Sequence, residues 1–192
     1  MTYDPRIHHR RSIRLPHYNY AQPGLYFITI CAYQRQCLFA NISNGSIELT
    51  TYGEIVAEEW KRSSDIRNEI QLDTWVVMPN HFHGLVEIVG GTANRVGADG
   101  RTANRMRANS RSPQRDRMKS KSISSLISGF KSAVTYRING LRQTPGNPVW
   151  QRNYYEHIVR NESECDRLRD YIFQNPHRWQ QDQLHPDNPS KW

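Results

Sequence analysis

The chain has few cysteines, few acidic residues and no long apolar run, and each shortage excludes a class of protein. Its three cysteines, Cys31, Cys37 and Cys165, form no CxxC pair, and an odd number does not suit a disulfide framework. The longest uncharged apolar stretch, residues 24–33, is about half as long as a membrane-spanning helix must be. The N-terminal residues lack the apolar core of a secretory signal. We therefore expect a reduced, cytoplasmic protein.

Basic residues outnumber acidic residues. The 192 residues include 26 Lys and Arg against 18 Asp and Glu, a net charge of +8, and such an excess favours a polyanionic partner. Residues 91–121 hold seven Arg and two Lys against two Asp, a net charge of +7. A second basic cluster near the N-terminus contains Arg10, Arg11 and Arg14. We expect these clusters to bind nucleic acid, which would associate the protein with the nucleoid; for residues 91–121 a solvated linker is the alternative.

The spacing of apolar residues predicts the order strand, helix, strand, strand, helix, strand, helix. The predicted strands span residues 25–32, 72–78, 84–89 and 154–159, and the predicted helices span residues 52–62, 123–141 and 161–175. Asn44-Gly45 lies between two short apolar runs and predicts an inserted β-hairpin. Because strands this close in sequence pair antiparallel, the order predicts an α+β fold, a ferredoxin-like βαββαβ sandwich with an antiparallel sheet and an added C-terminal helix.

Local signals mark the ends of the last helix and the limits of the domain. Asn161 is a good N-cap, Glu164 follows as in a capping box, and Pro176 ends the helix. We divide the chain into a basic arm over residues 1–22, a single domain over 23–179, and a polar, irregular tail over 180–192. The domain includes a flexible basic loop over residues 90–120, in which Thr-Ala-Asn-Arg occurs twice.

The His81-Phe82-His83 segment is the first candidate site. Alternate residues of an extended chain project to the same side, so the imidazoles of His81 and His83 point together. With a third ligand from elsewhere, the pair can hold a divalent cation. Two polar side chains on a solvated strand would show the same spacing, so the His-x-His pattern alone leaves both interpretations open.

The last helix contributes the second candidate site. Tyr171 and Asn175 are four residues apart and share one face of the helix. Cys165, Leu168 and Ile172 form an apolar stripe that can anchor the helix to a core, with Tyr171 at its edge. A tyrosine in this position either packs half-buried or presents its phenol to a neighbouring metal centre, with the Asn175 carbonyl oxygen as a further ligand.

Three segments in order, WVVMPNHFHGLVEI, VWQRNYYEHIVRNE and DYIFQNPHRW, resemble the REP-associated tyrosine transposases, a branch of the single-tyrosine HUH endonucleases. The opening RRSIRLPHYNYAQPGLYFITICAYQR is similar to the N-terminus of that family. The resemblance covers about residues 10–90 and 120–180 and leaves out the basic loop and the tail. It implies a ferredoxin-like catalytic domain that cleaves single-stranded DNA, often beside a hairpin.

The resemblance also implies roles for individual residues. His81 and His83 match the pair that binds Mg²⁺ or Mn²⁺, Tyr171 matches the nucleophile, and Asn175 holds the place of a third metal ligand. Relatives outside this branch often carry Gln there, which makes Gln174 the alternative. The implied reaction yields a 5′-phosphotyrosyl enzyme and a free 3′-hydroxyl without ATP. The implied partner is single-stranded DNA with a REP-like hairpin, bound by a monomer or a homodimer.

Several other residues have two interpretations each. Tyr154 and Tyr155 are rival nucleophiles, although in a strand they alternate faces and at least one should pack in the core. His157 contacts the metal site or phosphate, or it packs as a strand histidine. Three basic residues either follow DNA phosphates or are solvated: Lys121, Lys131 and Arg137.

Two functions of other classes compete with the transposase interpretation. The first is a non-catalytic DNA- or RNA-binding protein on the same ferredoxin-like scaffold, because sheet aromatics and basic arms also suit such binding, although the chain lacks an RNP1-type pattern. The second is a metal-dependent hydrolase with water as the nucleophile, which would not need Tyr171. A covalent protein–DNA adduct distinguishes both from a tyrosine transposase.

Overall fold

The computed structural model describes residues 18–89 and 121–188. The predicted arm up to residue 17, with Arg10, Arg11 and Arg14, lies outside the described residues, as do the basic loop over residues 90–120 and residues 189–192. Among the described helices, none combines the length and the apolar character that a bilayer crossing requires.

The described residues form six strands and three α-helices. The strands are β1 (Gly24–Cys31), β2 (Ala40–Ser43), β3 (Ser46–Leu49), β4 (Ile70–Val77), β5 (His81–Ile88) and β6 (Tyr155–Val159). The helices are α1 (Thr51–Ile66), α2 (Ile123–Leu141) and α3 (Glu162–Gln174), with short 3-10 helices at Tyr33–Arg35 and Pro176–Gln181. The predicted order of elements is confirmed, and α1 is four residues longer at its C-terminal end than the predicted helix.

Four of the strands form one antiparallel sheet in the order β4-β5-β1-β6. Strand β1 is central and pairs with both β5 and β6. The two connections that carry α1 and α2 therefore join strands that are not neighbours in the sheet, as in a βαββαβ unit. The predicted α+β class and antiparallel sheet are confirmed.

Alternate residues of the central strands face two different apolar clusters. The main core lies between the sheet and helices α1 and α2, and its largest fully buried side chains include Trp60, Tyr26 and Phe82. The opposite face carries a smaller cluster of Phe27 and Leu85, covered by Ile172 of α3. Of the three described α-helices, α3 is the one that packs on the face toward which the odd-numbered residues of β1 and β5 point.

Strand β5 begins earlier than the sequence predicts. His81, Phe82 and His83 belong to the strand, and the turn is confined to the residues before them, where the Met78 amide donates to the His81 carbonyl oxygen over 2.8 Å. The prediction that residues 79–83 separate the two strands is wrong, because Phe82 is fully buried in the main core and holds this segment in the sheet. His81 and His83 consequently project to the α3 face.

The predicted hairpin is confirmed and contacts the C-terminal part of the chain. Asn44 and Gly45 have φ values of 51° and 76°, as a two-residue turn with the twist of the flanking strands requires. A Cβ atom on Gly45 would lie 2.2 Å from the His177 side chain. The hairpin tip therefore packs closely on the 3-10 helix Pro176–Gln181.

Helix α3 is capped at its N-terminus and joined to the sheet by an ion pair. The Asn161 side chain accepts a hydrogen bond from the Glu164 amide over 2.8 Å, which confirms the predicted N-cap. The Glu164 carboxylate accepts from the Arg160 amide rather than from the N-cap amide, so the reciprocal bond of the predicted capping box is absent from the described residues. Further along, Arg169 forms a bidentate ion pair with Asp73, with its shortest N–O distance 2.6 Å, and ties α3 to β4.

Candidate active site

Tyr171 and His83 meet over the middle of the sheet. The Tyr171 hydroxyl lies 3.4 Å from Nε2 of His83, and the centres of the two rings are 5.2 Å apart. Beneath them, the Phe27 ring stacks on the His83 ring, with the ring centres 5.3 Å apart. The Phe27 and Tyr171 rings pack in a T-shaped arrangement, with their centres 6.0 Å apart. The buried stripe of α3, with Cys165 and Ile172, leaves Tyr171 at its edge with 42% of its surface exposed. The phenol is therefore reachable from solvent and fixed against the histidine.

The neighbouring Asn80 sets the proton position on His81. The Asn80 amide nitrogen donates to the carbonyl oxygens of Arg35 and Leu184 over 3.2 and 2.7 Å. Its Oδ1 atom therefore accepts, and it lies 2.8 Å from Nδ1 of His81. Nδ1 of His81 must carry the proton, which leaves the lone pair on Nε2. That Nε2 atom is buried and has no hydrogen-bond partner in the described part of the chain.

His83 is positioned in a similar way by Thr29. Nδ1 of His83 lies 2.8 Å from the Thr29 hydroxyl, which is its neighbour across strands β5 and β1. Burial lowers the pKa of His83 to about 3 and also holds the pKa of His81 well below its ordinary value, with a further contribution from the neighbouring His83. Both imidazoles are therefore neutral at pH 7, the form that ligates metals.

An acidic residue completes the group. His81, His83 and Asp182 each offer one potential ligand atom, and these atoms lie within 4.8 Å of one another. An oxygen of Asp182 lies 3.8 Å from Nε2 of His81. Burial raises the pKa of the Asp182 carboxyl, against the effect of a hydrogen bond from the Leu184 amide. Removal of this carboxyl from water favours a compensating positive charge beside it.

Asn175 lies beside the same group, whereas Gln174 does not. The Asn175 side chain is 3% exposed and lies next to His81, Tyr171 and Asp182. Its Oδ1 atom is buried without a hydrogen-bond partner in residues 18–89 and 121–188. Gln174 instead lines a second cleft, which reaches His83 and Tyr171 but not Asn175 or Asp182. The geometry favours Asn175 over Gln174 as a ligand.

These residues fit a divalent cation. Buried polar groups in proteins normally have partners, yet His81 Nε2 and Asn175 Oδ1 both lack one among the described residues and lie in the same group of side chains. Two neutral imidazoles, an amide oxygen and a carboxylate form a mixed nitrogen and oxygen ligand set. The carboxylate would balance part of the charge of the ion.

The phenol of Tyr171 is a weak nucleophile in this environment. Burial, with a smaller contribution from the charge of Asp182, raises the pKa of Tyr171 to about 12. The side chain of Asn175 opposes this effect. At neutral pH the hydroxyl therefore stays protonated unless a positive charge comes close to its oxygen.

The rival tyrosines and His157 lie elsewhere. The Tyr154 hydroxyl is 3.5 Å from the Ser124 hydroxyl, and its ring packs partly against the main core. Tyr155 projects to the α3 face and is 43% exposed. His157 pairs with Glu164 at 2.9 Å and links β6 to the first turn of α3. Of the three tyrosines, Tyr171 is the one that contacts His83.

Two of the basic residues predicted to follow DNA phosphates are bonded within the protein. Nζ of Lys131 donates to the carbonyl oxygens of residues 151 and 152. Arg137 pairs with Glu58 and Glu59 at 2.6 and 2.9 Å. Both lie on α2, which covers the sheet face opposite Tyr171, whereas Lys121 is exposed just before that helix. Contact of these residues with DNA stays a prediction.

Sequence reasoning missed three residues of the group: Thr29, Asn80 and Asp182. Asp182 falls in the region predicted to be an irregular polar tail, yet the 3-10 helix Pro176–Gln181 carries it back over the sheet. Trp179 was the available signal, because a large aromatic residue in a polar segment indicates packing. Trp179 is buried, and the centre of its ring lies 6.0 Å from the centre of the His81 ring and 4.7 Å from that of the His185 ring.

The sequence and the fold are each similar to known proteins. A Haemophilus influenzae protein described as uncharacterized is 40% identical over 185 residues, which are 96% of this chain and 98% of that protein. No model of a known protein family matches the chain. The structure of a REP-associated tyrosine transposase bound to a REP hairpin overlaps 88% of this chain and 74% of its own, with a TM-score of 0.56 and 19% identity.

A second solved structure has a weaker likeness. A crystal structure from Deinococcus radiodurans, described as that of a transposase, overlaps 84% of this chain and 95% of its own, with a TM-score of 0.39 and 14% identity.

Proposed function

The chain belongs to the family of the Haemophilus influenzae protein and has the fold of a REP-associated tyrosine transposase, and on this premise we propose that it is a transposase-like endonuclease and strand transferase for single-stranded DNA. The observation that carries the proposal is the distance of 3.4 Å between the Tyr171 hydroxyl and Nε2 of His83, beside two buried polar atoms that have no hydrogen-bond partner among the described residues. We assign Tyr171 as the nucleophile and His81, His83 and Asn175 as metal ligands, with Asp182 as a further ligand.

The proposed chemistry is the one that the family resemblance implies, with Tyr171 as the attacking group. The Tyr171 oxygen attacks the scissile phosphorus, a phosphorus–oxygen bond to Tyr171 forms, and the bond to the 3′-oxygen of the preceding nucleotide breaks. The phenol gives up its proton and the departing oxygen takes one, so the products are a 5′-phosphotyrosyl enzyme and a free 3′-hydroxyl. When bound, Mg²⁺ or Mn²⁺ would supply positive charge that neutralises a non-bridging phosphate oxygen and favours the ionised phenol.

The covalent link retains the energy of the phosphodiester bond. A 3′-hydroxyl can therefore attack the phosphotyrosine and restore a DNA strand, and the reaction needs no ATP. The hydrogen bond from His81 Nδ1 to Asn80 Oδ1 and the one between Thr29 and His83 fix both imidazoles, which supports a role for the two histidines as metal ligands. The role of the chain is to orient the phenol and the phosphate in line.

The substrate class is DNA that carries a hairpin. The transposase of similar fold was solved bound to a REP hairpin, and the net charge of +8 suits a polyanionic partner. We propose that this chain also cleaves single-stranded DNA next to a hairpin, on the chromosome in the cytoplasm.

The test uses one DNA hairpin with a single-stranded flank, labelled at either its 3′ or its 5′ end. With Mn²⁺, the 3′-labelled DNA should become attached to the denatured protein, whereas the 5′-labelled DNA should yield a shorter free fragment. DNA that is bound but never cleaved would favour a non-catalytic binding protein. Cleavage of both labelled forms without an adduct would favour a hydrolase that uses water.

A further inference from the structure

Two clefts flank Tyr171, and both reach His83. The larger, of about 560 Å³, is lined by the start of β6 and the residues after α3, and the smaller, of about 420 Å³, lies between α3 and the sheet residues Phe27, Thr29 and His83. Four residues line both clefts: Thr29, His83, Tyr171 and Arg178. A DNA strand whose phosphate lies at Tyr171 can continue into both clefts, which would give each side of the scissile bond its own surface.

Tyr155 presents an aromatic ring to the larger cleft. His83, Thr29 and Tyr155 are successive neighbours across strands β5, β1 and β6, which places Tyr155 two strand spacings, about 10 Å, from His83. Tyr155 is 43% exposed, and its ring packs in a T-shaped arrangement against the Phe27 ring, with the ring centres 6.4 Å apart. One side of the Tyr155 ring is thus packed while much of the rest faces the cleft.

The remaining walls of the larger cleft are mainly neutral amides, with two arginines and the carboxylate of Asp182. Five amide side chains line it: Gln151, Asn153, Asn175, Gln181 and Gln183. An amide both donates and accepts hydrogen bonds, as the edge of a nucleobase does. Arg178 lies between the two clefts, next to Tyr171, where a guanidinium suits a phosphate. Aromatic, amide and guanidinium groups together match the base and phosphate of one nucleotide.

We propose that the larger cleft is a base-binding site for one unpaired nucleotide next to the scissile phosphate. The base stacks on Tyr155, and amides of Asn153 and Gln183 contact its edge, while Arg178 holds the backbone. The site would make the nucleotide beside the cleavage point part of the recognised sequence. This inference rests on the proposed function, because the position of the scissile phosphate is taken from Tyr171.

The test combines DNA abasic sites with a Tyr155→Ala variant. Hairpin DNAs that each lack one base near the cleavage point are bound to wild type and to the variant in the absence of metal, with fluorescence anisotropy as the readout. Loss of the stacking ring should weaken binding of intact DNA roughly tenfold. When the missing base is the one that stacks on Tyr155, the abasic DNA should bind wild type and Tyr155→Ala equally. In that DNA the stacking contact is already absent, so removal of the ring has no further effect.

Two matched variants accompany the measurement. Tyr155→Phe keeps the stacking ring, so the abasic DNA that distinguishes wild type from Tyr155→Ala should still bind Tyr155→Phe more weakly than intact DNA does. Tyr136 lies on α2, across the sheet, and is 83% exposed. Tyr136→Ala should bind intact DNA and each abasic DNA with the same affinities as the wild type. Equal, additive losses from Tyr155→Ala at every abasic position would overturn the base-binding site. Failure of the proposed function is a separate result, because it would appear as absence of the covalent adduct with wild-type protein and intact DNA.

Discussion

Nε2 of His83 lies 3.4 Å from the hydroxyl oxygen of Tyr171, although the two residues are 88 positions apart in the chain. Three features bring them together: the pairing of β5 with β1, the burial of Ile172 against the sheet, and the ion pair of Arg169 with Asp73. The nucleophile that we propose therefore depends on the position of α3 over β5. Each of the following predictions tests one part of this arrangement.

Tyr171→Phe should form no covalent adduct with hairpin DNA and should bind that DNA almost as well as the wild type. The variant loses the attacking oxygen, while the ring keeps its contacts with Phe27 and His83. Denaturing gels measure the adduct, and anisotropy measures the affinity. Tyr155→Phe is the matched control and should retain the adduct. An adduct that persists in Tyr171→Phe would show that another residue attacks.

His81→Ala and His83→Ala should each abolish Mn²⁺-dependent cleavage, and the double variant should be little worse than either one. Residues that act as one unit have non-additive effects. Calorimetric titration with Mn²⁺ should show weaker binding for each variant, independently of cleavage. Full cleavage in the presence of EDTA, or in either single variant, would contradict a metal role for the pair.

Asn80→Ala should weaken Mn²⁺ binding roughly 10- to 100-fold, which is typical when a residue that orients a metal ligand is lost. The Asn80 amide oxygen accepts a hydrogen bond from Nδ1 of His81. Without this bond the imidazole can rotate, or its proton can move to Nε2, the atom that would bind the metal. Calorimetry measures the affinity. Asn139→Ala removes a buried asparagine far from the site and should leave the affinity unchanged. An unaltered affinity in Asn80→Ala would mean that His81 needs no such partner.

The sequence predicted the fold better than it predicted the surroundings of the site. Periodicity identifies α3 and the strands because burial repeats along one element, as with Cys165, Leu168 and Ile172. The hydrogen bond between Thr29 and His83 depends on the register of two strands 54 residues apart. Local sequence does not carry such a register, so Thr29 could not be predicted.

The same reasoning explains the errors at the ends of the site. Residues 81–83 lie between the predicted strands, yet the burial of Phe82 draws this segment into β5. Asp182 has no periodic pattern around it, and its position follows from the packing of Trp179 near His81. Contacts between distant segments decided both outcomes.

Asp73→Asn should lower the free energy of unfolding at pH 7 by about 1 kcal/mol, after allowance for solvent screening. Hydrogen bonds from Arg169 lower the pKa of Asp73 to about 2 from 3.8. Because the folded-state pKa lies below the unfolded value, this stabilisation is present above pH 4 and is lost as the pH falls toward 2.

Urea unfolding of wild type and Asp73→Asn at several pH values measures this effect. The difference between the two proteins should shrink as the pH falls below 4. Asp65→Asn, a change at an exposed position on α1, serves as the control and should have little effect at any pH. A difference that stays constant down to pH 2 would mean that the ion pair does not cause the stabilisation.

Shortening residues 91–121 should weaken DNA binding and flatten its dependence on salt. The segment carries a net charge of +7, and each phosphate contact on single-stranded DNA contributes about −0.7 to the slope of log affinity against log salt. Loss of four contacts would change that slope by roughly 3. Substitution of the cluster Arg10, Arg11 and Arg14 should act in the same direction.

Single-turnover cleavage of bound DNA should persist in the shortened protein, because His81, His83, Tyr171 and Asn175 all lie outside the removed residues. Binding titrations over a series of salt concentrations give the slope, and rapid quenching at saturating protein gives the cleavage rate. An unchanged slope would identify the segment as a linker without phosphate contacts. A reduced slope together with lost cleavage would mean that the segment helps to build the active site, because binding alone cannot limit the rate at saturation.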